Sequence, residues 1–306
     1  MAIKQIRVQI NGIWTTLSLN SSTGKYEANI AAPSITSFNQ ASKYYPVTVE
    51  ASDLAGNVTT KTHTDSTLGS KLRLTVKEVT PPTIALTAPT ESSYLATNTP
   101  AIKFQLRDET NGSGISIGTL RLSIGANTYT NTSPGMSVVQ VSGGYDVTYT
   151  PPSALTDGFH TVKINVSDND GNAAIEKMFG FTVDTVPPVL TISNPSAATT
   201  HTNNSELILT GITSDATSSS VKLTVNFNGN TEVVLVQSNG SFTKTLTLVN
   251  GTNTLIIKAE DLAGKYSEIT RTVILDTAPP QISDITITPN PVNINQSYKV
   301  SVTVTD

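Results

Sequence analysis

The sequence predicts an all-β chain of tandem β-sandwiches, and three observations carry that expectation. Charged residues make up only 14% of the 306 residues, against about 25% in an average soluble domain. Thr, Ser, Asn and Val fill the space, and these suit half-buried strands and turns better than helices. Short alternating apolar runs are separated by Asn-Gly and Asp-Gly-type turns, the pattern of an all-β sandwich. Finally, Pro-Pro pairs at Pro81-Pro82, Pro187-Pro188 and Pro279-Pro280 punctuate the chain into repeats. Units of about 90–105 residues have the size of one sandwich.

The elements follow in order. Asn11-Gly12 separates Ile6-Arg7-Val8-Gln9-Ile10 from Ile13-Trp14-Thr15-Thr16-Leu17, a two-residue hairpin. Asn228-Gly229 separates Leu223–Phe227 from Thr231–Leu235 in the same way. Each repeat then closes with a hairpin over Asp53-Leu54-Ala55-Gly56-Asn57, Asp168-Asn169-Asp170-Gly171-Asn172 or Asp261-Leu262-Ala263-Gly264-Lys265. The glycine supplies the positive φ that such a turn needs. The strand after each hairpin (residues 71–76, 179–183 and 272–275) leads to a Pro-Pro pair. Proline cannot extend a ladder, so these pairs read as short, semi-rigid linkers.

Strand, Asp-x-Ala-Gly-Asn, strand, Asp-Thr-x-Pro-Pro resembles tandem bacterial immunoglobulin (Ig)-like domains and, more distantly, cadherin repeats. The matching linkers are Asp184-Thr185-Val186-Pro187-Pro188 and Asp276-Thr277-Ala278-Pro279-Pro280, whereas the first departs as Glu78-Val79-Thr80-Pro81-Pro82. The resemblance implies an extended rod of Ig-like sandwiches. It speaks poorly to function, because such folds serve as spacers, adhesins and virion parts.

Aligning the repeats exposes a difference at the two ends. The second and third repeats open with two strands, A and B, at residues 83–87 and 101–108, then 189–193 and 206–210. The first repeat starts at the third strand, C. Ile10 stands before Asp53 at the same separation, within one residue, as Ile124 before Asp168. Residues 282–287 and 298–304 read as an A–B pair. The expected organisation is therefore an incomplete domain at 1–80 (strands C–G), domains at 81–186 and 187–278, and an A–B strand pair at 279–306. Two readings of the ends stand side by side. In one, the chain is cut from something longer. In the other, the A–B pair of one molecule completes the first unit of the next, head to tail.

Little chemistry is signalled. There are no cysteines, which excludes disulfides, thiolate metal sites and cysteine nucleophiles. His63, His160 and His201 fall in different repeats with no ligand or triad spacing, and no phosphate loop or nucleophile elbow occurs. The expectation is that the chain is not an enzyme. A net charge of −4 argues against nucleic acid as a partner, and no apolar run approaches the roughly 20 residues needed to span a bilayer. Residues 1–7 lack the apolar stretch of a secretory signal. Trp14 is expected in a core or half-buried position, and Tyr44-Tyr45 either as an exposed pair or packed at a strand entry.

Calcium is the one cofactor the residues argue for. In an Ig sandwich the linker arrives beside the B–C and F–G loops, so each junction gathers carboxylates: Glu78, Asp108, Glu109, Asp168 and Asp170 at the first, and Asp184, Asp215 and Asp261 at the second. Asp276 is the linker acid of the third, and Asp306 and Asp53 would join it under head-to-tail exchange. Hard cations take six to eight oxygens. The competing reading is that each Asp only caps its own turn. The favoured function is a non-enzymatic structural component of a phage tail, tail-like particle or extracellular filament, with itself or other subunits as partner. The alternative is a bacterial surface or virion adhesin recognising host-surface glycan or protein. Either places the chain outside the cell or on a virion.

Overall fold

The computed structural model describes residues 2–218 and 220–306. They are all-β apart from two short 3-10 turns, Ser37–Asn39 and Gly69–Lys71. The chain divides into two compact units, Met1–Val183 and Asp184–Asp306.

The first unit opens with a single sheet. Its strands are β1 (Ile3–Ile10), β2 (Ile13–Asn20), β3 (Lys25–Glu27), β4 (Tyr45–Asp53), β5 (Val58–Thr62) and the short β6 (Arg73–Leu74). Their order is β3-β2-β1-β4-β5, with β6 on the start of β4. The Asn11-Gly12 turn has φ of 50° and 79°, which only such residues adopt easily, and it sets the Ile10–Ile13 register. Ile6, Val8 and Ile10 on β1 face the same side as their partners Ala51, Val49 and Val47 on β4. Among the described residues no second sheet packs on that side, where Ile6, Ile10, Val47 and Val49 are half-buried. Between β3 and β4 the chain runs without a strand, where a complete C–G set would have placed one. Among the described residues up to 80, Val8 and Tyr45 are the only fully buried large apolar side chains.

Two expectations shift here. The strand expected over 71–76 shrinks to Arg73–Leu74, because the following backbone bonds to the 36–37 turn instead. Ser37 N–H donates to Val76 O at 2.8 Å, and Val76 N–H donates to Ser37 Oγ at 2.7 Å. Trp14 is not in a core. It pairs with Gln9 on the side opposite Val8, is 38% exposed, and carries the Arg7 guanidinium 4.3 Å above its ring. Tyr45 is packed at the strand entry, 2% exposed, and its hydroxyl donates to Ile35 O at 2.8 Å.

A complete sandwich follows, with β7 (Thr83–Ala88), β8 (Tyr94–Leu95), β9 (Ile102–Arg107), β10 (Ile115–Ile124), β11 (Asn127–Tyr129), β12 (Met136–Val141), β13 (Gly144–Tyr149), β14 (Gly158–Asp168) and β15 (Lys177–Val183). One sheet runs β12-β13-β9-β7 and the other β11-β10-β14-β15-β8. Alternation places Phe104, Leu106 and Tyr149 of the first sheet against Leu120, Leu122, Ile164 and Phe181 of the second, all buried in one core. The two-residue β8, parallel to β15, is too short for any periodic signal in the sequence.

The second unit holds another complete sandwich: β16 (Val189–Asn194), β17 (Thr199–Thr202), β18 (Glu206–Ser214), β19 (Lys222–Phe227), β20 (Asn230–Val234), β21 (Ser241–Thr247), β22 (Gly251–Glu260) and β23 (Tyr266–Leu275). Its sheets are β16-β18-β21 and β17-β23-β22-β19-β20. Leu209, Leu223, Phe242, Leu255 and Ile257 form its core. Gly211 lies where β16 crosses β18. A Cβ there would sit 2.3 Å from Thr191 O and 2.5 Å from the Phe242 ring. After this sandwich come β24 (Gln281–Thr288) and β25 (Lys299–Thr305), which pair with each other alone.

Candidate metal centres

Three segments converge at the first acidic cluster: the linker at Glu78, the loop after β9 at Asp108, and the β14–β15 hairpin at Asp168. Carboxylate oxygens of all three lie within 4.8 Å of one another. Each side chain is fixed by local bonds. Asp168 Oδ1 accepts from the N–H groups of Gly171 at 2.6 Å and Asn172 at 2.8 Å, and its Oδ2 accepts from Asn172 Nδ2 at 2.7 Å. Asp108 Oδ2 accepts from Gly114 N–H at 2.6 Å, and Glu78 Oε1 from Ser113 N–H. The other oxygens, Glu78 Oε2 and Asp108 Oδ1, are buried without a partner. Gly112 borders them closely, and a Cβ there would lie 2.6 Å from Asp108 Oδ2 and 2.9 Å from Glu78 Oε2.

Asp170 stands outside this trio. Its Oδ2 accepts from Thr36 Oγ1 and, at 3.2 Å, from Glu78 N–H, so it ties the 36–37 turn and the linker to the hairpin. Asn39 Nδ2 adds a bond to Gly112 O at 2.7 Å. Sequence reading placed Glu109 here as a potential ligand. It borders the cluster but is not one of the three converging carboxylates among the described residues.

The second cluster joins Asp184 before the third sandwich, Asp215 after β18 and Asp261 after β22, again within 4.8 Å. Asp184 is 0% exposed and Asp261 7%. Asp215 Oδ1 accepts from the N–H groups of Thr217 at 2.8 Å and Ser218 at 2.6 Å. Ser218 Oγ donates to Asp184 Oδ2, and Lys265 N–H donates to Asp261 Oδ1 at 2.8 Å. Asp184 Oδ1 and Asp261 Oδ2 are buried and unpartnered. Turn capping therefore accounts for Asp215 Oδ1 and Asp261 Oδ1, while Asp184 Oδ1 and Asp261 Oδ2 stay buried and unsatisfied. Ser113, Gly112 and Ser218 were not singled out from the sequence, although Gly112 and Gly114 flanking Ser113 hinted at a tight loop after β9.

Asp53 copies Asp168, accepting from Asn57 N–H at 2.9 Å and Asn57 Nδ2 at 2.8 Å. Asp276 accepts from Ala278 N–H at 2.9 Å. Neither belongs to a three-carboxylate group among the described residues.

The electrostatics of the clusters are unfavourable as they stand. No Lys or Arg forms an ion pair with the six clustered carboxylates among the described residues. Burial pushes Asp184 up, countered by the Ser218 bond and reinforced by the charges of Asp215 and Asp261. Burial likewise raises Asp108, with Glu78 and Asp168 adding repulsion. The neighbouring Glu78 carboxyl, with burial, pushes Glu109 up to about 7. Buried, unpartnered carboxylate oxygens in an all-oxygen donor set are what a hard cation such as calcium requires. The residues present fit that ion.

A pH prediction follows from these directions. Raised carboxyls hold protons in the folded chain that the unfolded chain has released, so folding stability falls as pH rises from the ordinary carboxylate range to about 7. The lowered groups, such as Asp53, do not offset this, because their contribution changes only below the ordinary carboxylate pKa. Thermal midpoints of metal-free protein should therefore drop between pH 5 and pH 8, and saturating calcium should flatten the profile. A midpoint that climbs over that range would contradict the assignment.

Residues 78–185 match the family described as bacterial Ig-like domain, and residues 188–277 match glucodextranase domain B. The chain carries tandem Ig-like sandwiches, of which residues 78–185 are similar to the bacterial Ig-like domain. Among solved structures, a 1.5-MDa bacterial ice-binding adhesin is similar at 16% identity and a TM-score of 0.30, covering 90% of this chain and 88% of that one. The fibronectin(III)-like modules of Clostridium thermocellum CbhA are similar at 14% identity and a TM-score of 0.36, covering 63% of this chain and 94% of theirs. Drosophila OTK extracellular domains 3–5 are similar at 11% identity and a TM-score of 0.37, covering 89% and 85%. No curated protein matches the chain. Among the described residues, no helix is long and apolar enough to cross a membrane.

Proposed function

We propose that the chain is a non-enzymatic spacer module of a bacterial surface protein, with linkers pinned to their sandwiches by calcium. The domains it strings together are 1–80, 81–186, 187–278 and the strand pair 279–306. The observation that supports this reading is the convergence of Asp184 and Asp261, both buried, with inward oxygens that no protein group satisfies. In each cluster the linker supplies one carboxylate and the following sandwich supplies two, so a bound cation restrains the linker against the body it leads into. A display role for a ligand-binding region fits such a spacer, with host-surface glycan or protein as the partner class.

Calorimetric titration of metal-free chain with calcium tests the reading. The expected result is two classes of site. Asp184→Asn with Asp261→Asn removes one, and Asp108→Asn with Asp168→Asn removes the other. Absence of binding at millimolar calcium would overturn it.

A further inference from the structure

We propose that Lys244 and Glu232 form a charged clasp that closes the open side of the β16–β23 sandwich and keeps its β21 edge from pairing with the same edge of a second copy of the chain. That side lies between two end strands. β21 ends the sheet β16-β18-β21, and β20 ends the sheet β17-β23-β22-β19-β20. Thr213 N–H donates to Gly240 O and Leu248 N–H to Ser205 O, which sets the parity of β21. Phe242, Lys244 and Leu246 therefore exchange backbone bonds with β18, and Thr243, Thr245 and Thr247 turn their N–H and C=O groups away from it. Among the described residues no strand pairs with that outer edge. The run from Ser241 to Thr247 holds three β-branched residues and no proline or glycine, and Lys244 is its only charge. Such an edge is a template for another strand unless something blocks it.

Lys244 stands on the core side of β21, between Phe242 and Leu246, which are both buried in the core. On β20, Glu232 pairs with Val225 and Val234 with Leu223, so Glu232 also faces inward. The two charges meet as an ion pair across the opening, with side chains 33% and 62% exposed. Each end strand thus carries one inward-pointing charge, a device that discourages edge-to-edge pairing.

The sandwich built from β7–β15 closes the same side differently. Leu86 faces Phe104, and Ile192 faces Gly211, immediately before the register shift of each A strand. That correspondence places Tyr149, opposite Ile102, where Lys244 stands opposite Leu209. It likewise places Tyr129, opposite Leu122, where Glu232 stands opposite Val225. Tyr129 and Tyr149 pack with ring centroids 4.6 Å apart, and β12 adds a further strand whose Met136 pairs with Tyr149. The sandwich with the aromatic pair carries another strand on this edge, and the sandwich with the ion pair leaves it bare. A strand arriving at β21 would lay a side chain over Lys244 and strip water from the ion pair, a desolvation cost that an apolar pair does not impose. Pairing of β21 with its own copy would consume the same edge of both chains, so it would stop at a dimer.

Light scattering and amide hydrogen exchange on the 306-residue chain test the proposal. Wild type should leave the amides of Thr243, Thr245 and Thr247 in rapid exchange at every protein concentration. The double variant Lys244→Val with Glu232→Val should rise to twice the mass of one chain, 32.3 kDa, as concentration increases, with those amides slowing in step. The exchanged pair Lys244→Glu with Glu232→Lys keeps a clasp and should behave as wild type. Lys244→Glu alone sets two carboxylates against each other. It should melt lower and still leave the edge unpaired, which separates a charge barrier from association caused by lost stability. A double valine variant that stays at one chain overturns the proposal, as does one that associates while the three amides still exchange rapidly. Slowing of these amides in wild type at rising concentration would show that the clasp does not block pairing. None of the substituted residues belongs to either acidic cluster, so calcium binding should be unchanged in every variant and the cation reading is tested separately.

Discussion

Millimolar calcium should raise the thermal midpoint of the metal-free chain by on the order of 10 °C. A ligand at about 100 times its dissociation constant adds roughly 2.7 kcal/mol to the folded state it binds, and about 1 kcal/mol moves the midpoint of a 100-residue domain by roughly 4–8 °C. The sharper part of the prediction is a reversal of sign. Asp184 is fully buried beside Asp215 and Asp261, and without a cation those like charges oppose folding. Asp184→Asn should therefore melt higher than wild type in the absence of calcium and lower in its presence. A residue that merely caps a turn predicts the opposite for the metal-free protein, because its loss removes a hydrogen bond and relieves nothing. Differential scanning calorimetry of both proteins, with and without calcium, separates the two: a metal-free Asp184→Asn that melts below wild type rules out the cation role for this cluster.

The sandwich strands were legible because their signals are local. Asn11-Gly12 and Asn228-Gly229 fix hairpins through their own backbone preference, and alternation over Lys103–Arg107 or Leu255–Ala259 reports which side faces a core. The junction acids were legible for a related reason, since their positions after strands B and F repeat along the chain. What escaped depended on partners distant in sequence. Trp14 sits in an alternating run that reads the same for either face, and only the register Gln9–Trp14 shows it to be outside. The strand expected over 71–76 is broken by bonds to Ser37 and Thr36, residues with no strand or turn periodicity of their own. Asp170 differs from Asp168 by two positions within one turn. Whether such an aspartate points toward Asp108 or toward Thr36 is decided by the fold, not by spacing.

Phe104→Ala and Val302→Ala should differ sharply in cost although they remove apolar side chains from equivalent B strands. Phe104 is 1% exposed and lies in the core with Leu122 and Phe181. Truncating a buried phenylalanine loses its transfer free energy and leaves a cavity that a two-sheet core closes poorly, at about 3–5 kcal/mol. Val302 lies on the inner side of β25 at 49% exposure, with no opposing sheet, and its truncation in dilute single chains should fall within about 0.5 kcal/mol of zero, as for surface positions. Urea unfolding followed by intrinsic fluorescence and circular dichroism measures both. Burial is a property of the pair of faces rather than of either strand, so a Val302→Ala cost above about 1 kcal/mol in dilute solution would mean that the inner face of β24–β25 is covered after all.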